Sequence, residues 1–175
     1  MATGYVKGKA FELELAYIEG GLFMAKDAAA AFNAMFAAAK ADGIHLKANT
    51  AFRDNEHQTR LRNAYDIALK AYNATFPTYL KHLAVWAREG GEKPIKPKKP
   101  APVAPAGFSN HQAGIAVDIN RAPGDDPTTV EPDSPIDRWL DANARKFGFK
   151  RTVAVESWHW EHDKSLLPVD KSVTV

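Results

Sequence analysis

The chain has 175 residues, 45% of them apolar and 10% aromatic, which suffices for one domain with its own core. A formal charge of +2, with basic residues scattered apart from a short run at Lys93 to Lys99, argues against nucleic acid as a partner. Cysteine is absent, so disulfides, thiolate metal sites and cysteine nucleophiles are excluded; no stretch approaches the about 18 consecutive apolar residues of a membrane span, and a soluble protein is expected.

The opening residues, Met1 to Lys9, are polar and do not read as a signal-peptide core, so delivery from the cytoplasm by a lysis or secretion system is expected if the substrate lies outside the membrane. Phe11, Leu13, Leu15 and Tyr17 alternate with Glu12, Glu14 and Ala16, a period of two that predicts a strand closed by Gly20-Gly21. From Lys26 the spacing of Phe32, Met35, Phe36 and Ala39 predicts a helix that stops at Gly43. The run Ile44 to Phe52 alternates again, predicting a second strand with Arg53 at its end.

Asp54 or Asn55 can cap a following helix, with Leu61, Tyr65, Ala68, Leu69 and Tyr72 on its packed face. Pro77 is expected to interrupt it, with a turn or two running on to Arg88. Residues 90 to 106 hold Gly90-Gly91 and five prolines, a composition that builds neither helix nor central strand. We read them as a loop inserted into a single domain spanning 1–175, either a stiff spacer or a rim that meets an anionic polymer.

Gly114-Ile-Ala-Val-Asp-Ile119 predicts a strand with Ile115, Val117 and Ile119 on one face and Ala116 and Asp118 on the other. Ser134, Pro135 and Asp137 make a helix start, Ile136, Leu140, Ala144 and Phe147 its apolar face, and Gly148 its end. The β-branched and aromatic stretch Thr152 to Glu161 predicts a last strand. Strands and helices without a steady alternation indicate an α+β fold.

His111 and Asp118 stand seven positions apart, which on an unbroken strand would point them to opposite faces; a bend at Gly114 lets both converge on one cation. Imidazole with carboxylate suits zinc, and Glu156 and His159 are the candidates for a third ligand. Ser109-Asn-His111-Gln-Ala-Gly114-Ile-Ala116-Val-Asp118, followed by Glu156-Ser-Trp-His159, resembles the pattern of the D-alanyl-D-alanine carboxypeptidase family of metallopeptidases, which includes vancomycin-resistance carboxypeptidases and several phage endolysins. Phe52-Arg53-Asp-Asn-Glu-His-Gln58 looks like that family's arginine segment, and the resemblance covers about residues 20 to 162.

The resemblance implies a small, mostly antiparallel sheet with flanking helices, of the fold shared with the hedgehog signalling domain. It also implies one zinc per chain on His111, Asp118 and His159, with Glu156 as the general base. Arg53 would meet a substrate carboxylate or the oxyanion of the intermediate, and Gln58 and Ser109 would orient substrate or loop. Glu161 is placed to hydrogen-bond a ligand imidazole, and His162 to lie at the rim or behind the ligands. Trp160 is expected in the core.

The expected function is hydrolysis of amide bonds in peptidoglycan stem peptides, as carboxypeptidase or endopeptidase, by a monomer that neither binds nucleic acid nor inserts into a membrane. The rivals are a zinc-containing binding module without catalysis and a structural role in a phage or secretion particle.

Overall fold

The computed structural model describes residues 1–120 and 130–167. The chain divides into two compact units, Met1–Asp54 with Gly107–Val175, and Asn55–Ala106.

The first unit opens with two hairpins, where alternation alone predicted one strand. β1 (Ala2–Val6) pairs antiparallel with β2 (Lys9–Leu13), and β3 (Leu15–Ile18) with β4 (Leu22–Ala25). The first turn places Lys7 and Gly8 at positive φ, the backbone that a tight hairpin demands. The predicted strand breaks at Glu14, whose carbonyl leaves the hairpin ladder to accept from Lys26 N at 3.0 Å. Gly20 and Gly21, both at positive φ, end β3 as expected and turn the chain into β4.

α1 (Lys26–Ala41) buries Phe32, Met35 and Ala39 as expected, together with Ala28 and Ala29, while Phe36 is only half-buried, and Gly43 follows its end at φ +75°. β5 is only Ala48–Thr50, shorter than the alternating run suggests, and it leads directly to Arg53. β6 (Ala116–Ile119) is buried along its whole length. α3 (Pro135–Asn143) is capped by Ser134, whose Oγ accepts from Asp137 N at 3.2 Å. The carboxylate of Asp137 instead accepts from Asp133 N and holds Arg151. A 3-10 turn, Ala144–Phe147, runs into Gly148 at φ +78°.

The expected single strand at Thr152–Glu161 is not formed. β7 (Phe149–Arg151) and β8 (His159–His162) flank two tight turns, closed by Glu156 N donating to Val153 O and His159 N to Glu156 O, both at 3.1 Å. β-Branched residues favoured a strand here, but local turn bonds take the backbone groups that a ladder would use.

The four strands form one antiparallel sheet in the order β5-β6-β8-β7. Phe32 and Met35 of α1, Leu140 of α3, Val117 and Ile119 of β6, Phe149 of β7 and Trp160 of β8 pack into one core. The sheet thereby has a face committed to hydrophobic contact and a face left for polar residues at alternate positions. The fold is α+β, as expected.

The second unit is α2 (Asn55–Glu89) and the proline-rich return to Ala106, which has no regular secondary structure. α2 does not stop at Pro77 but continues through it for 35 residues in all. Proline's φ suits a helix; its cost is the missing N–H and crowding of the preceding turn. Asn73, whose carbonyl loses its donor, is exposed, so water can serve it. Among the described residues no helix is long and apolar enough to cross a membrane.

Candidate metal centre

Sheet register builds the centre. Thr50 of β5 pairs with Asp118 of β6, and Asp118 pairs with His159 of β8, so three neighbouring strands put these side chains in one transverse row. Thr50 Oγ1 donates to Asp118 Oδ2 at 2.6 Å, and His159 Nδ1 lies 2.9 Å from Asp118 Oδ1. Asp118 is 2% exposed, and it shares β6 with Val117 and Ile119, which point into the core.

His111 arrives from a loop. Its backbone carbonyl accepts from Arg53 N and Gly114 N, both at 3.2 Å, and its Nδ1 lies 2.7 Å from Ala51 O. Ala51 O can only accept, so His111 carries its proton on Nδ1 and turns Nε2 towards Asp118 Oδ1, 3.4 Å away. Gly114 supplies the bend between the two residues at φ +72°. A Cβ there would stand 2.9 Å from Ala25 N and 3.0 Å from Leu13 Cδ2, so the position also needs the space. Gln112 stiffens the loop by accepting from Gly107 N at 2.6 Å.

His111, Asp118 and His159 thus bring one ligand atom each within 4.8 Å of one another, all three residues buried. Metal–ligand bonds of about 2.0–2.2 Å in a tetrahedron set ligand atoms about 3.3–3.6 Å apart, so the 3.4 and 2.9 Å separations at Asp118 Oδ1 need only small adjustments. Two imidazoles and a carboxylate are a set that zinc accepts, and the residues present fit that metal.

The electrostatics favour a cation. Burial opposes the charge on Asp118, but bonds from His159 and Thr50 outweigh it and hold the carboxyl far below its usual range. Burial likewise opposes protonation of His159, yet its bonds to the Asp118 and Glu161 carboxylates prevail and push it up to about 9. At His111 burial wins over Asp118, and the imidazole is pushed down.

Glu161 sits two residues after His159 on β8, on the same face, and its Oε1 lies 3.0 Å from His159 Nε2. Each His159 nitrogen therefore faces a carboxylate, with Nδ1 towards Asp118 and Nε2 towards Glu161. Burial raises the Glu161 pKa, but His159, Asn110 and Thr152 bring it down to about 2. This is the imidazole–carboxylate support expected of Glu161.

The other expected residues fall out differently. Arg53 is near, its Nη2 3.9 Å from Asp118 Oδ2 with the side chain 12% exposed. Glu156 lies half-buried in the turn that delivers His159. Ser109 is buried at the start of the His111 loop, its carbonyl accepting from Gln112 N. Gln58 belongs to the second unit, where Nε2 donates to Ala104 O at 2.8 Å.

His162 is not at the rim. It alternates with Glu161 to the core face of β8, packs on Phe149 at 5.2 Å between ring centroids, and leaves Nε2 without a hydrogen-bond partner among the described residues. Trp160 is core, at 2% exposure. Thr50 went unnoticed in the sequence, since only register brings it to Asp118.

Residues 21–164 match the family model for the D-alanyl-D-alanine carboxypeptidase VanY. The chain belongs to this family. A D-alanyl-D-alanine carboxypeptidase of Enterococcus faecalis is 30% identical over 138 residues, which is 73% of this chain and 44% of that relative; the chain thus spans less than half of its length. Two solved structures share the fold at 24% identity. One is the vancomycin-resistance D,D-pentapeptidase VanY of a VanB-type cassette with Zn(II), a TM-score of 0.57 over 93% of this chain and 86% of that one. The other is VanYB with D-alanine-D-alanine, 0.58 over 93% and 84%. These VanY-family relatives have the fold that the zinc motifs led us to expect.

Proposed function

We propose that the chain is a zinc peptidase that hydrolyses amide bonds in peptidoglycan stem peptides, working as a monomer with one zinc held by His111, Asp118 and His159. The observation that carries this reading is the convergence of those three buried side chains on one point, in a member of the VanY family. The relatives' names, a carboxypeptidase and a structure holding D-alanine-D-alanine, support the substrate class. We take the second unit as an insertion within a single peptidase domain.

The chemistry zinc supplies at such a site is polarisation of the scissile carbonyl and a fall in the pKa of water from about 15.7 towards about 7. Glu156 takes the proton of the attacking water and passes it to the leaving amine. Arg53, beside Asp118, offers a guanidinium to the substrate's carboxylate or to the developing oxyanion. Glu161 holds His159 so that Nδ1 faces Asp118. Ser109 shapes the His111 loop and helps orient the substrate.

The test is mass spectrometry of stem peptides ending in D-Ala-D-Ala, with free or amidated carboxyl termini, after incubation with the zinc-loaded chain. Hydrolysis that a chelator stops, absent in Glu156→Gln, is expected. Release of D-alanine from the free-carboxylate peptide alone identifies a carboxypeptidase, and equal cleavage of both peptides an endopeptidase. No cleavage of any stem peptide by the zinc-loaded chain would overturn the reading.

A further inference from the structure

The second unit carries a strongly basic surface, formed by residues that the proposed hydrolysis does not call on. Along α2, Tyr65, Tyr72, Tyr79 and Trp86 recur every seven residues as half-buried positions, with Tyr72 stacked on Phe76 at 5.0 Å between centroids and Phe76 tilted against Tyr79 at 5.7 Å. On the return, Pro94, Pro97, Pro100 and Val103 are half-buried and the residues between them exposed, a period of three. Three residues per turn is the period of a polyproline II helix, which needs no ladder partner.

Both ends of the return are fastened to α2. Trp86 Nε1 donates to Gly91 O at 3.1 Å and carries Lys93 over its ring at 5.1 Å. At the far end Arg62 Nη1 donates to Val103 O at 2.9 Å and Gln58 Nε2 to Ala104 O. The lengths agree. Gln58 to Trp86 spans about 42 Å at about 1.5 Å per residue, and Gly91 to Ala104 about 40 Å at about 3.1 Å per residue. The return thus matches, in period and in length, an extended polyproline rod fastened to α2 at both ends.

That rod fixes where charge goes. Lys96, Lys98 and Lys99 occupy its exposed positions, and none is paired with an acid among the described residues. Residues 55–106 hold nine Lys and Arg against four Asp and Glu, a formal +5, whereas the whole chain carries +2, so the rest is net negative. A stiff row of ammonium groups, held out to solvent on a unit of that charge, suits a partner with phosphates repeated along an extended chain.

We propose that this lysine-bearing edge docks the peptidase onto a phosphodiester-linked polyanion of the cell wall. The choice of wall polymer rests on the wall-peptidase function proposed above. The test is co-sedimentation of the zinc-loaded full chain with purified walls that carry teichoic acid, and with the same walls after hydrofluoric acid has removed the polymer. Expected are salt-sensitive binding to the intact walls, at least tenfold less to the stripped ones, and a similar loss in the triple variant Lys96→Gln, Lys98→Gln, Lys99→Gln with hydrolysis of soluble stem peptides unchanged. Pro97→Gly with Pro100→Gly, which keeps the charges but loosens the rod, should also weaken binding. Equal binding to stripped walls, a triple variant that binds like the wild type, or retention on duplex DNA as strong as on walls would overturn the proposal. Wall binding without stem-peptide hydrolysis would strike the proposed function and leave the docking surface standing.

Discussion

Asp118 reaches across 68 residues of chain to Thr50 and 41 to His159, and all three meet in one row of a buried sheet. On α2, by contrast, the aromatic face repeats every seven residues and its positions stay half exposed. In the first region strand register sets the geometry, and a small displacement would separate ligand atoms that now lie within 4.8 Å. In the second a local period sets it, and no one position decides the arrangement. The candidate metal centre sits where long-range register sets the geometry, and the charged surface where a local period does.

The largest effect should come from Glu156→Gln. It removes the proposed base without touching a ligand, so kcat should fall by about 10²–10⁴ while zinc content stays unchanged. Activity equal to wild type would detach the turn at Glu156 from the chemistry. The next concerns pH. A metal must displace the proton that His159, raised to about 9, still holds at neutral pH, so zinc affinity should climb about tenfold per unit between pH 6 and 8 for that one proton. A flat isothermal titration series over this range would remove His159 from the ligand set.

Glu161→Gln should weaken zinc binding by about 10–100-fold, because His159 keeps its place on β8 but loses the carboxylate that orients its ring. Smaller still is a paired comparison of stability by urea denaturation. Gly114→Ala should cost about 1–3 kcal/mol, since φ is +72° and a Cβ meets Ala25 N. Lys70→Ala on the exposed side of α2 should change stability by less than about 0.5 kcal/mol. Similar losses at both positions would erase the contrast between the regions.

Local signals in the sequence were sufficient for α1, its stop at Gly43, the capped start of α3 at Ser134 and the bend at Gly114, because each depends on residues only a few positions apart. The candidate ligands His111, Asp118 and His159 were legible as a motif. Three features were not. The turns at 152–158 replace a strand that β-branched composition favoured, α2 runs through Pro77 because one lost bond is affordable at an exposed position, and the N-terminal residues pair as hairpins through contacts that alternation does not encode. Thr50 and the carbonyl of Ala51 were illegible for a further reason: one enters through register, the other through backbone. For His162 the sequence left the rim and a place behind the ligands both open, and only its packing against Phe149 on β8 excludes the rim.

The most direct test is zinc per chain by elemental analysis, in the purified wild type and in Asp118→Ala, each after incubation with zinc and removal of the excess. About one zinc in the wild type, lost in a variant that remains folded by circular dichroism, is the result expected. A folded wild type that holds no zinc, or a variant that holds as much, would contradict the assignment of this buried row as the metal centre.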